Sequence, residues 1–108
     1  MRVIQALNGV KREYIKIKLA EKVERIFGIS NVYAMDRIIT HESGYNPNAI
    51  NSSSGACGLG QALPCSKMPC PLGFKGSLCQ IDWVTEYIQR RYVTPNNAWE
   101  FWKENKWY

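Results

Sequence analysis

Between Tyr45 and Leu78 the chain clusters Asn, Ser, Gly and Pro, carries no acidic residue, and has no run with helical periodicity. The four cysteines, Cys57, Cys65, Cys70 and Cys79, fall inside this segment or just past it. Such composition reads as loop with at most a short hairpin, because turn residues repeatedly interrupt any helix or strand. A long loop of this kind needs clamping. No Cys-x2-Cys unit is present, so the spacing does not suit a zinc site, with or without His41. Two disulfides formed in an oxidising compartment are the better explanation for an even count in one loop-rich stretch. Three connectivities are open; the expectation leans to Cys57–Cys65 with Cys70–Cys79.

The flanks read as helices. Val10 to Phe27 has no strong breaker and stops at Gly28, with Tyr14, Ile17, Val23 and Ile26 as its expected buried face. Ser30 or Asn31 can cap a second helix that runs to about Glu42. A third spans about Gln80 to Tyr92, with Ile81, Val84, Tyr87 or Ile88, and Arg91 at helical spacing. Thr94-Pro95 is a start signal for a short last helix through Trp99, Phe101 and Trp102, ending near Asn105. With 108 residues, 45% hydrophobic and no internal repeat, residues 1–108 make one mostly α domain around a single core.

The net charge is +5 with pI about 9.1. Much of the basic charge lies between Lys11 and Arg25, interleaved with Glu13, Glu21 and Glu24. Glu21 and Arg25 are a favourable helical pair, and the pattern is that of a solvated helix face. No nucleic-acid motif accompanies it, so no nucleic-acid partner is expected. A basic domain is instead drawn toward anionic polymer. No apolar run approaches the roughly 18 residues of a membrane span. Met1 to Gly9 lacks the features of a signal peptide. The expectation is a monomeric domain belonging to a longer exported or virion-borne protein.

One carboxylate stands out. Met35, Ile38, Ile39 and Glu42 share a helical face, and Gly44 can close that helix in the left-handed conformation. Apolar neighbours and the negative end of the helix dipole both disfavour ionisation of Glu42, as a general acid requires. Downstream, Gly58 and Gly60 let backbone approach a ligand closely, and Gln61 offers a carboxamide. Aromatic faces stack well on sugar rings. One or two of Trp83, Trp99, Trp102 and Trp107, Trp102 among them, are expected at a ligand site. Trp99 and Trp102, three residues apart on one helix, have a spacing that is more often core than ligand platform. His41 points off the apolar face and is read as bland.

Glu42-Ser43-Gly44, Asn46-Pro47, Ala49 and Ser54-Gly55-Ala56-Cys57-Gly58-Leu59-Gly60-Gln61 resemble the soluble lytic transglycosylases, which share the goose-type lysozyme fold. Ala62-Leu63-Pro64 and Trp107-Tyr108 are similar to segments in the transglycosylase-like domains of cell-wall and phage-tail proteins. The resemblance runs from Tyr33 to Tyr108 and implies a lysozyme-like domain with a disulfide-clamped, loop-rich insertion. It implies a peptidoglycan substrate, Glu42 as the acid, Ser43 holding it in place, and Gln61 lining the sugar cleft. Ser43 alternatively caps the helix end. The family's nearby tyrosine usually sits in an Ala-Tyr-Asn motif that this chain lacks; Tyr87 is the candidate and Tyr92 its rival. No metal or organic cofactor is implied.

A glycoside hydrolase ordinarily needs two carboxylates. After Glu42 the next acidic residues are Asp82 and Glu86, on a different helix. The expected chemistry is therefore that of a transglycosylase, in which the muramic 6-hydroxyl is the nucleophile and the product carries a 1,6-anhydro end. A muramidase using Asp82 or Glu86 as base, an inactive wall-binding module, and a nucleic-acid binder are the alternatives.

Overall fold

Four helices built from those flanks enclose the core, and the loop is pinned into it. The computed structural model describes residues 3–108, with side chains from Asn8 onward; Met1 and Arg2, part of the stretch read for a signal peptide, lie outside the described residues. Helix α1 spans Val3–Phe27, starting earlier than Val10 because a lone Gly9 does not break it. Gly28 then turns the chain with φ 94°. The buried stripe of α1 is Ile15, Leu19 and Val23, at steps of four. Of the expected face only Val23 is inside; Tyr14, Ile17 and Ile26 are 39%, 51% and 39% exposed. Apolar residues occur on several sides of α1, so periodicity alone does not choose which side meets the other helices. Glu21 pairs with Lys18 at 3.3 Å rather than with Arg25.

A single 3-10 turn, Ile29–Asn31, leads into α2, Val32–Ser43. Asn31 stands at the N-cap but makes no side-chain cap bond. Its Nδ2 donates to the Phe27 carbonyl at 3.0 Å and its Oδ1 accepts from the Asn96 N–H at 3.1 Å. The residue thereby ties the end of α1 to the start of the last helix. Helix α2 buries Ala34, Met35, Ile38 and Ile39 and ends at Gly44, whose left-handed φ of 60° lets its N–H donate to the Ile39 and Thr40 carbonyls.

Helix α3 is Ser77–Tyr92, with Ile81, Val84 and Ile88 inside. Helix α4 is Pro95–Asn105, and Thr94 Oγ1 accepts from the Asn97 N–H at 3.2 Å, as the capping signal anticipates. Helix α4 packs chiefly on α2, while α1 lies against both α2 and α3. No described helix is long and apolar enough to cross a membrane.

Between α2 and α3 the described chain forms no strand, only isolated bridges from Cys57 to Ile50 and Ala62, and two 3-10 turns. Cys57–Cys65 and Cys70–Cys79 are both disulfides. The loop is more than an insertion: Leu59 is 1% exposed and joins the helical core. Holding it there is Gln80, fully buried on α3. Its Oε1 accepts from the Leu59 N–H at 2.8 Å, and its Nε2 donates to the Pro47 and Pro71 carbonyls at 3.1 and 2.9 Å. One amide thus satisfies the Leu59 N–H and the Pro71 carbonyl, which burial would otherwise strand, and adds a second bond to the Pro47 carbonyl, which also accepts from the Gly73 N–H at 3.0 Å.

Candidate functional site

The last turn of α2 opens onto a cleft of about 530 Å³. Its floor and walls come from His41 and Glu42, the loop residues Gly60 to Leu63, Lys67, and one face of α3 bearing Trp83, Tyr87 and Arg91. The chain closes it from the far side: Lys106 takes a left-handed φ of 64° after α4, and Trp107 and Tyr108 fold back onto the loop. Tyr108 donates its hydroxyl proton to the Gly60 carbonyl at 2.6 Å, and Tyr87 donates to the Tyr108 carbonyl at 3.3 Å.

Glu42 is half-buried and bears the one side-chain carboxylate among the described residues lining this cleft. Burial raises its pKa above the ordinary glutamate value, while the Trp102 indole N–H acts in the opposite direction with smaller effect. Tyr108 is half-exposed as a whole residue but its phenolic end is enclosed. Burial pushes its pKa well up, and the neighbouring Glu42 charge adds to that shift.

The walls combine aromatic rings with unpaired cations. Trp83 and Tyr87 stack with centroids 5.3 Å apart. Lys67 Nζ lies 5.1 Å from the Tyr87 centroid, and the Arg91 guanidinium lies 5.6 Å from that of Trp107. Lys67, Arg91 and Lys106 form no ion pair among the described residues. Glu42 aside, the side-chain charge in the cleft is positive, which together with the aromatic rings suits a ligand bearing ring faces and negative groups.

Several expected site residues stand elsewhere. Ser43 Oγ donates to the Ile39 carbonyl at 3.3 Å and does not line the cleft, so its hydroxyl serves the helix backbone rather than Glu42. Gly58 also lies outside it; a Cβ there would meet Gln80 Oε1 and Met68 Cε, each at 2.8 Å, so this glycine permits the seam between loop and α3. Gly60 is the glycine at the cleft. Trp102 lies behind the cleft wall, its ring 4.6 Å from that of His41 and 5.4 Å from that of Trp99. The tryptophans facing the cleft are Trp83 and Trp107.

Gln61 and Tyr87 do line the cleft, whereas Tyr92 does not. Gln61 holds φ 53° and its Nε2 donates to the Gly58 and Ala49 carbonyls at 3.0 and 3.3 Å. Its amide therefore shapes the loop as well as the wall. His41, read as bland, both lines the cleft and stacks on Trp102. Asp82 pairs with Lys22 at 3.0 Å in a separate groove, and Glu86 is exposed outside the cleft. Missed from the sequence were Lys67, Lys106, Tyr108 and the cleft role of Arg91. Trp83, Tyr87 and Arg91 recur at steps of four, a signal for one helix face that was available. Comparison of the chain with family models, curated proteins and solved structures returns no match.

Proposed function

We propose that the protein is a peptidoglycan lytic transglycosylase with a lysozyme-like fold, acting through Glu42 alone. The observation that carries this reading is the half-buried Glu42 carboxyl, its pKa raised, in a cleft lined by no second carboxylate side chain among the described residues. Glu42 donates its proton to the glycosidic oxygen between a muramic acid and the next sugar. The 6-hydroxyl of the same muramic acid then attacks the anomeric carbon, and the Glu42 carboxylate takes up the hydroxyl proton. Atoms balance without water, and the ring closure gains from proximity. Trp83 and Trp107 offer faces to sugar rings, and Lys67, Arg91 and Lys106 suit the carboxylates that muramic acid and its peptide stems carry. The disulfides accord with a place outside the cytosol, at a cell wall or on a virion.

A muramidase using Asp82 or Glu86 has no support from the geometry, since neither reaches the cleft. Mass spectrometry of digested peptidoglycan separates the two chemistries, because anhydro and reducing ends differ by one water. Anhydro ends are expected. Glu42→Gln should lower turnover by on the order of 10²- to 10⁴-fold, the usual effect of losing a general acid. Asp82→Asn and Glu86→Gln should stay within about threefold of wild type. Reducing ends together with a hundredfold loss in either of those variants would replace the transglycosylase reading with the hydrolase.

A further inference from the structure

Two buried polar side-chain atoms find no hydrogen-bond partner among the described residues: the Tyr92 hydroxyl and the Trp102 indole nitrogen. Orphaned buried donors are rare enough in folded proteins to require a reason. The Trp102 ring is held on its faces by His41 at 4.6 Å, by Trp99 at 5.4 Å, and by Lys106 Nζ at 5.2 Å from its centroid. It stands behind the cleft wall and is not among the residues lining the cleft. Yet the ring packs against His41, the neighbour of Glu42 in the last turn of α2, its N–H favours the ionised form of that carboxyl, and no hydrogen bond between the two is formed. Hydrogen bonds that serve catalysis are often loose before substrate arrives and tighten afterwards.

We propose that Trp102 is a positioning residue for Glu42: its clamped indole N–H meets the carboxylate that appears once the acid has given up its proton. The inference rests on the catalytic reading of Glu42. The proton that Glu42 loses goes to the leaving oxygen and is replaced from the attacking hydroxyl; the indole proton stays on nitrogen throughout. A neutral donor fits this task. It strengthens as negative charge develops, whereas a lysine or arginine in its place would keep Glu42 ionised from the outset and remove the acid. Indole is a donor only, so it cannot compete for the proton being transferred.

The other titratable or charged side chains about Glu42 are His41 beside it, Tyr108 across the cleft, and Lys67, Tyr87, Arg91 and Lys106 on the walls. All are retained in Trp102→Phe, which keeps a ring and removes the N–H. Carbon-13 NMR titration of the Glu42 carboxyl should show its midpoint rising by about one pH unit in this variant, the size expected for losing one hydrogen bond to a charged group. In the wild-type protein the Trp102 indole N–H resonance should follow that same midpoint, and in Glu42→Gln it should be flat. This second measurement decides the matter even if Trp102→Phe fails to fold. With peptidoglycan, kcat should fall by about tenfold with KM nearly unchanged, as for a contact made only in the transition state. The alkaline limb of kcat/KM should move up with the midpoint.

An unmoved Glu42 midpoint, or a wild-type indole resonance indifferent to pH, overturns the proposal. So does a raised KM with unchanged kcat, which would make Trp102 a sugar platform. A shifted midpoint in a protein that cleaves no peptidoglycan would retire the catalytic reading and leave the Glu42–Trp102 coupling standing.

Discussion

Glu42 affects stability as well as chemistry. Burial lifts its pKa, so between the ordinary glutamate value and the raised one the folded state binds more protons than the unfolded. Stability therefore falls as pH rises through that window, and above it the ionised carboxylate remains a standing penalty. Glu42→Gln removes the penalty while removing the acid. Its melting temperature should exceed that of wild type by on the order of 2 °C at neutral pH, a small figure because the group is partly exposed. Well below the glutamate range the two proteins should melt together, as calorimetry across pH can check. Gly60 sets a second limit at this scale. A Cβ there would meet Val84 Cγ2 at 2.6 Å and the Tyr108 hydroxyl at 2.9 Å. Gly60→Ala should push the loop off α3 and loosen Tyr108, at about 1–3 kcal/mol by equilibrium denaturation. A variant as stable as wild type would mean that the seam yields freely.

Among the elements, the loop depends on α3 more than on its own turns. Gln80 is the link, and its three bonds to Leu59, Pro47 and Pro71 are all to backbone that has no other anchor in α3. Gln80→Ala leaves a cavity and strands the Leu59 N–H and the Pro71 carbonyl, while the Pro47 carbonyl keeps its bond from the Gly73 N–H. The expected loss is on the order of 3 kcal/mol, with the amides of the loop exchanging faster by hydrogen exchange than those of α1. Nothing local marked this residue: a glutamine near a helix start reads as solvated. Its burial follows from the loop folding over it. Thr94 is the opposite case. Its cap is legible from Thr94-Pro95 alone, and Thr94→Ala should cost about 1 kcal/mol, or about 4–8 °C in melting temperature for a domain of this size.

For the whole molecule, the small core leaves little margin. Domains of this kind are stable by only about 5–15 kcal/mol. The disulfides close spans of 8 and 9 residues, each worth roughly 2–3 kcal/mol by loop entropy. Reduction should therefore remove a large share of the total. The expected outcome is a fall of at least 10 °C in melting temperature under reductant, since roughly 4–6 kcal/mol is lost at about 4–8 °C per kcal/mol. An unchanged melt would show that Leu59 and Gln80 hold the loop unaided.

The stops of α1 and α2, the start of α4 and the position of Glu42 were decided by the chain itself. Each rests on a signal spanning a few residues: Gly28 and Gly44 at positive φ, Thr94 before Pro95, three apolar residues and a carboxylate on one helical face. Tertiary structure alone decided which side of α1 is buried, that Gly58 serves a seam, that Trp102 stands behind the wall, and that Asp82 turns away to Lys22. It alone brought Tyr108 across to Gly60, 48 residues back in the chain. These outcomes depend on contacts between distant segments. Periodicity and capping are short-range, and an apolar or aromatic side chain has no local feature that says which of several available partners will cover it.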